Sequence, residues 1–147
     1  MSAKTISMRT SKGEITIEVD PDRMPVTAEN FIDLVSQGFY DGLTFHRVEH
    51  WVVQGGDPKG DGTGGSGKRI KLETHPDLRN VRGCIAMARA QHPDSASSQF
   101  YFLKKDAPWL DGQYAVFGMV KDGMSVVDSI EAGDRMETVR VVEPGTR

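Results

Sequence analysis

Several groups of residues have the types and spacing to do chemistry, and each asks for a structural setting that the neighbouring sequence either supplies or denies. Gly62-Thr63-Gly64-Gly65-Ser66-Gly67-Lys68 fits the phosphate-binding pattern G-x-x-x-x-G-K. That pattern works when it opens a helix whose amides face phosphates and when a Ser or Thr follows to reach magnesium. Here Arg69 takes the hydroxyl position, and Arg69-Ile70-Lys71-Leu72-Glu73 alternates like a strand and runs on to Pro76. G-x-G-x-x-G also occurs twice in this loop, at Gly60-Gly62-Gly65 and Gly62-Gly64-Gly67, without the strand-helix unit that dinucleotides need. His46 and His50, with Glu49 beside the second, make a possible metal pair. Zinc asks for more ligands, and Cys84, His75 and His92 show no fitting spacing. Neither a metal nor a nucleotide cofactor is expected. Ser97-Ser98 lack a nucleophile setting such as G-x-S-x-G. Cys84 is the single cysteine, followed by Ile85-Ala86-Met87. It cannot form an internal disulfide and reads as a buried structural thiol, which suits a reducing compartment.

The elements that position these residues are short. Ile6 and Met8, the turn Ser11-Lys12-Gly13, then Ile15, Ile17 and Val19 predict a β-hairpin. After Pro21 and Pro25, the residues Ala28, Phe31, Ile32 and Val35 recur at helical spacing, with Gly38 placed to end the helix. Strands are predicted at Leu43 to Val48 and Trp51 to Gln54. The stretch Gly55 to Lys68 holds seven glycines in fourteen residues and is a loop. Further strand-like runs are Arg69 to Leu72, Gly83 to Ala88, Gln99 to Leu103, Ala115 to Val120 and Val139 to Val142. A second short helix carries Val126, Val127 and Ile130 and ends near Gly133. Many short strands with only two helices predict a mainly β fold, a closed antiparallel barrel capped by helices.

Composition bounds the rest. A chain of 147 residues is the size of one ordinary domain, so residues 1–147 are expected to form a single unit. With 37% hydrophobic and 27% charged residues it lies in the globular range. Its 18 basic and 21 acidic residues are interspersed, for a formal charge of −3, so nucleic acid is not an expected partner. The apolar runs are far too short for a membrane span, and Met1 to Thr10 contains no apolar leader core. A cytoplasmic protein is expected.

The remaining blocks are distinctive: Phe45-His46-Arg47-Val48, Gln54-Gly55-Gly56-Asp57, Met87-Ala88-Arg89-Ala90, Ser98-Gln99-Phe100-Tyr101-Phe102, Trp109-Leu110-Asp111-Gly112 and Val116-Phe117-Gly118. In this order and spacing they resemble the cyclophilin-type peptidyl-prolyl cis/trans isomerases, from about Ile6 to Val142. The resemblance implies a barrel of about eight antiparallel strands with a helix over each end. It also implies that the chain rotates X-Pro bonds in other polypeptides and assists folding, as a monomer and without a cofactor.

That reaction breaks no covalent bond. Its barrier is about 18–20 kcal/mol because rotation disrupts amide resonance. Turnover near 10³ s⁻¹ requires removing roughly 7 kcal/mol, by binding the twisted amide better than the planar one. In the twisted state the prolyl nitrogen carries a lone pair, and a guanidinium aimed at it is a donor that never loses its charge.

By resemblance that residue is Arg47, although an arginine beside Glu49 is by itself also consistent with a surface ion pair. The resemblance lines the proline socket with Trp51, Val52, Tyr101 and Leu110, with Tyr114 at the rim. It gives Gln54 and Gln99 hydrogen bonds to substrate. The backbone of Arg89 would hold the chain N-terminal to proline in extended form, with Ala88 and Ala90 along a neighbouring groove. Trp109 would recognise the cyclic peptide cyclosporin. Without the motifs, each of these apolar residues reads as ordinary barrel core.

The chain departs from the family pattern at Glu49-His50-Trp51, which is one residue shorter, and at Trp51, Val52, Tyr101 and Tyr114, which replace the usual Phe, Met, Phe and a frequent His. Two other functions compete: a proline-peptide-binding chaperone or adaptor with little catalysis, and a nucleotide-dependent enzyme. Retention of Arg47 argues against the first, because a binder gains little from a group aimed at a transition state. Arg69 argues against the second.

Overall fold

The computed structural model describes residues 3–142. The hairpin at the start pairs β1 (Lys4–Thr10) with β2 (Gly13–Val19) over their full length, Ile6 opposite Ile17 and Met8 opposite Ile15. These four side chains are fully buried, which is the period-two pattern turned toward one core. The remaining strands are β3 (Arg47–Val48), β4 (Val52–Gly55), β5 (Cys84–Met87), β6 (Phe100–Leu103), β7 (Val116–Asp122) and β8 (Met136–Val142). All pairings are antiparallel, in the order β3-β4-β6-β5-β7-β2-β1-β8.

The two edge strands of that sheet, β3 and β8, do not form a ladder with each other. The chain just before each of them closes the seam instead. Gly42 N–H donates to Met136 C=O, Met136 N–H to Leu43 C=O, and Phe45 N–H to Asp134 C=O, around a bridge between Thr44 and Arg135. The predicted strand at Leu43 to Val48 is thus divided, its first half spent on the seam and its second on β3. The predicted strand at Arg69 to Leu72 is corrected to a single bridge, Ile70 with Ala96. Only Ile70 is buried there, and the residues on either side turn to solvent.

Helix α1 (Pro25–Ser36) covers one end of the barrel. Phe31 enters an aromatic cluster, its ring centroid 5.2 Å from Tyr40, 5.7 Å from Phe100 and 5.0 Å from Phe117. The residue before the helix, Met24, offers no capping side chain. The carboxylate of Glu73 supplies the cap from a distance, accepting the N–H of Val26 at 3.1 Å and of Thr27 at 2.8 Å. At the other end Gly38 takes φ +74°, its N–H bonds to Val35 C=O, and the N–H of Phe39 returns to Leu34 C=O. Helix α2 (Met124–Ser129) is shorter and buries Val127.

Strands β4, β5 and β6 are covered on both faces, and this positions the site. Val53, Ile85, Met87, Phe100 and Phe102 point into the barrel. The alternate residues Val52, Ala86, Ala88, Tyr101 and Leu103 form a second apolar cluster outside it, with Trp51, Leu110 and Tyr114 packed against them.

Candidate active site

Register places the site residues in one row across the outer face. Arg47 on β3 is opposite Gln54 on β4, Gln54 is opposite Tyr101 on β6, and Tyr101 is opposite Ala86 on β5. Residues opposite one another in a sheet project to the same side, so three short strands suffice to bring a cation, an amide and an aromatic together. A pocket of about 180 Å³ opens beside this row, lined by Arg47, Gln54 and Tyr101 from it.

Tyr101, Val52 and Ala88 line the inner part of this pocket, and Trp51, Leu110 and Tyr114 stand around its mouth. Arg47, Gln54 and Arg89 complete the wall. Arg47 donates through Nε to Glu49 Oε2 at 2.9 Å and through Nη1 to Gln54 Oε1 at 3.3 Å. Its guanidinium carbon lies 5.7 Å from the centre of the Trp51 ring. Arg47 and Glu49 are two apart on one extended strand and so share a face. The hydrogen bond and charge of Arg47 hold the Glu49 carboxyl below its ordinary range.

The shortened segment forms a tight hairpin. Glu49 N–H donates to Val52 C=O at 2.8 Å, leaving His50 and Trp51 as the two-residue connection. Lys104 N–H then bonds Trp51 C=O, fixing Trp51 against β6. The extra bulk of Trp51 therefore stands beside the pocket, and Val52 lies within it. Trp109, on the 3-10 turn Pro108–Leu110, is 64% exposed and does not line the pocket. Its ring centroid is 6.0 Å from that of Trp51, so the two indoles form one ridge at the rim.

Tyr101 carries a hydroxyl into a buried position, where burial pushes its pKa upward. The hydroxyl donates to Asn80 Oδ1 at 2.5 Å, and Asn80 in turn donates through its backbone N–H to Asp111 Oδ1 at 2.6 Å. Asn80 is a supporting residue that sequence reasoning missed. The only available signal was the need of a buried tyrosine for a partner.

Gln99 and Ala90 lie in a second, adjoining groove of about 330 Å³, which shares Gln54, Ala88 and Arg89 with the first pocket. Gln99 Oε1 accepts from Gln54 Nε2 at 2.9 Å, and its own Nε2 donates to Gly62 C=O at 3.0 Å and Gly64 C=O at 2.9 Å. It thereby ties the glycine loop to Gln54, and Gln54 to Arg47. Arg89 donates to the carbonyls of Gln113, Ala90 and Gln91 and lies 4.6 Å over the Tyr114 ring. That bracing makes it the divide between pocket and groove.

The glycine loop is built around a carboxylate of the protein itself. Asp57, almost fully buried, accepts the N–H groups of Lys59, Asp61 and Gly62. Burial raises its pKa, but the converging amides outweigh burial and hold it below the ordinary range. A Cβ at Gly64 would run into this carboxylate. The amides that a phosphate-binding loop would offer to a ligand are thus turned inward to Asp57.

Of the other reactive types, Cys84 is buried and its pKa is pushed up to about 12, chiefly by burial, which leaves it an inert thiol. No group of three His, Cys, Asp or Glu among the described residues is arranged to hold a metal.

A family model described as cyclophilin type peptidyl-prolyl cis-trans isomerase/CLD matches residues 5–146. The chain belongs to the cyclophilin family. A peptidyl-prolyl cis-trans isomerase of Helicobacter pylori is 44% identical over 137 residues, covering 90% of this chain and 83% of that one. One from Schizosaccharomyces pombe is 40% identical over 144 residues, covering 95% and 92%. A crystal structure of a cyclophilin-type isomerase from Cryptosporidium parvum superposes with a TM-score of 0.89 at 26% identity, covering 97% of this chain and 99% of that one. The same Cryptosporidium protein has been crystallised in the presence of the dipeptide Ala-Pro, and that structure superposes at 0.87.

As a cyclophilin-type isomerase, the protein has to lower a rotational barrier without making or breaking a bond. A pocket with apolar side chains on one side, the Arg47 guanidinium at its edge and Arg89 held to backbone carbonyls in its wall is an arrangement suited to that task.

Proposed function

We propose that the 180 Å³ pocket is the proline socket of this isomerase and that Arg47 donates to the prolyl nitrogen in the twisted state. The observation that carries this is the row Arg47, Gln54, Tyr101, which puts the guanidinium at the edge of an apolar recess. Glu49, Gln54 and the Trp51 face hold Arg47 from three directions, so little conformational freedom is left to lose when substrate arrives. Val52, Tyr101 and Leu110 receive the ring, and Tyr114 and Trp51 cover it. Gln54 and the backbone of Arg89 bind the chain N-terminal to proline, along Ala88 and Ala90. Gln99 acts through Gln54, because its two amide hydrogens are both bonded to loop carbonyls, whereas Gln54 donates only one of its two within the protein.

The exposed indole of Trp109 offers an apolar face and one N–H donor beside the socket, which suits cyclosporin recognition. The exposed large apolar residues Val26, Trp109 and Met119 lie on separate elements, which supports a monomer. The buried Cys84 suits a reducing, cytoplasmic setting, and we propose that residues 1–147 act there as one domain that assists the folding of proline-containing polypeptides. A chemical-shift map with Ala-Pro tests the location. Amides of Gln54, Tyr101 and Leu110 shift on titration, and a response centred elsewhere, such as around Met119, contradicts the assignment.

A further inference from the structure

We infer that Arg69 makes this isomerase select substrates with an acidic side chain two residues before the proline. The inference rests on the proline socket proposed above. The adjoining groove of about 330 Å³ begins at Ala88 and Arg89, where the socket ends, and runs under the glycine loop to Arg69.

In an extended peptide alternate side chains share a face and stand about 7 Å apart. With proline in the socket, and the chain N-terminal to it lying along Arg89, the residue two before proline faces the groove. The residue directly before proline faces away. The small side chains Ala88 and Ala90 leave room for a side chain to enter.

The charge within the groove is one-sided. Among the described residues no aspartate or glutamate lines it, and its two cations are Arg69 and Arg89. Arg89 is committed to three backbone carbonyls and the Tyr114 face. Arg69 is exposed and makes no ion pair or hydrogen bond among the described residues. It is therefore the guanidinium with donors to spare, and a carboxylate is its best-matched partner. The formal charge of the chain is −3, so a preference for acid cannot come from the net field of the molecule and has to be local.

The test is a protease-free isomerisation assay on matched peptides with Glu, Gln or Lys two before proline. It compares wild type with Arg69→Gln and Arg69→Glu. For a partly exposed pair, wild type favours Glu over Gln by about two- to fivefold in kcat/KM at low salt, and raised salt erodes the ratio. Arg69→Gln brings the ratio to unity, and Arg69→Glu inverts the order to favour Lys. Moving Glu to the position directly before proline abolishes the preference in wild type. Equal turnover of the Glu and Gln peptides by wild type overturns the inference, as does a preference that survives Arg69→Gln. Failure of the socket assignment is separable, because it would appear as rapid turnover of the Gln peptide that does not depend on Arg47.

Discussion

Arg47 and Gln54 are register partners across the β3-β4 hairpin, and the guanidinium donates to the amide oxygen at 3.3 Å. The same amide donates onward to Gln99 at 2.9 Å. A polar chain thus runs from the edge of the socket to the glycine loop, and its members should act on turnover through the orientation of Arg47.

Glu49 tests that orientation from the other side. Glu49→Gln weakens the hold on Arg47 Nε while leaving the cation in place. The expected result is a fall of about two- to fivefold in kcat with a smaller change in KM, as for loss of an exposed pair. The Glu49 carboxyl is held below its ordinary range, so the pair is intact above about pH 5 and is lost as pH falls through the lowered value. A wild-type kcat that declines only below that range, and a Glu49→Gln profile without the decline, is the expected pair of curves. Identical curves contradict the positioning role.

Asn80 and Tyr101 form a buried couple behind the socket. Asn80→Ala strands the tyrosine hydroxyl and should cost about 1–3 kcal/mol in denaturant unfolding. Tyr101→Phe removes donor and need together on the tyrosine side and should cost less. The double variant should be less destabilised than the sum of the two. Strict additivity would show that the hydroxyl does not depend on Asn80.

Asp57 holds the glycine loop. Asp57→Asn keeps its shape but removes the charge that gathers the amides, and should cost about 1–3 kcal/mol. The folded pKa is lowered, so the stabilisation is fully present above about pH 4 and is lost as pH falls through the folded value. Melting curves between neutral and acid pH should therefore fall more steeply for wild type than for Asp57→Asn. Parallel curves contradict the assignment.

The chain has two tryptophans, and both stand at the socket rim. Intrinsic tryptophan fluorescence is consequently a local probe. Cyclosporin should change it, and Trp109→Phe should weaken the inhibitor by about tenfold through loss of the N–H donor, with a smaller effect on the turnover of short proline peptides. No fluorescence response in an actively isomerising preparation would remove Trp109 from inhibitor recognition.

Much of this was legible in the sequence. The hairpin of β1 and β2 was readable because one face is core and the other polar, giving clean alternation from Ile6 to Val19. Helix α1 was readable from Ala28 to Val35, but its cap was not, because Glu73 lies far along the chain. Strands β4, β5 and β6 gave apolar runs without a face, since core lies on one side and the socket on the other. Alternation is erased in such strands, and only the motif blocks separated Tyr101 from Phe102. The split of Leu43 to Val48 and the reduction of Arg69 to Leu72 to one bridge depend on which partner edge is free, which periodicity does not encode. The seven glycines marked a loop, but their reason, a buried carboxylate gathering amides, appeared only in three dimensions.

The most direct test of the account is the turnover of Arg47→Ala beside Arg47→Lys and wild type, with unfolding curves recorded on the same preparations. If the guanidinium donates to the twisted amide, the alanine variant keeps its stability and loses about 10²–10³-fold in kcat/KM, on the scale of a lost transition-state donor. Lysine, a point charge on a flexible stem that cannot keep the bonds to Glu49 and Gln54 in one plane, restores little of it. Wild-type turnover in a folded Arg47→Ala protein would contradict the mechanism.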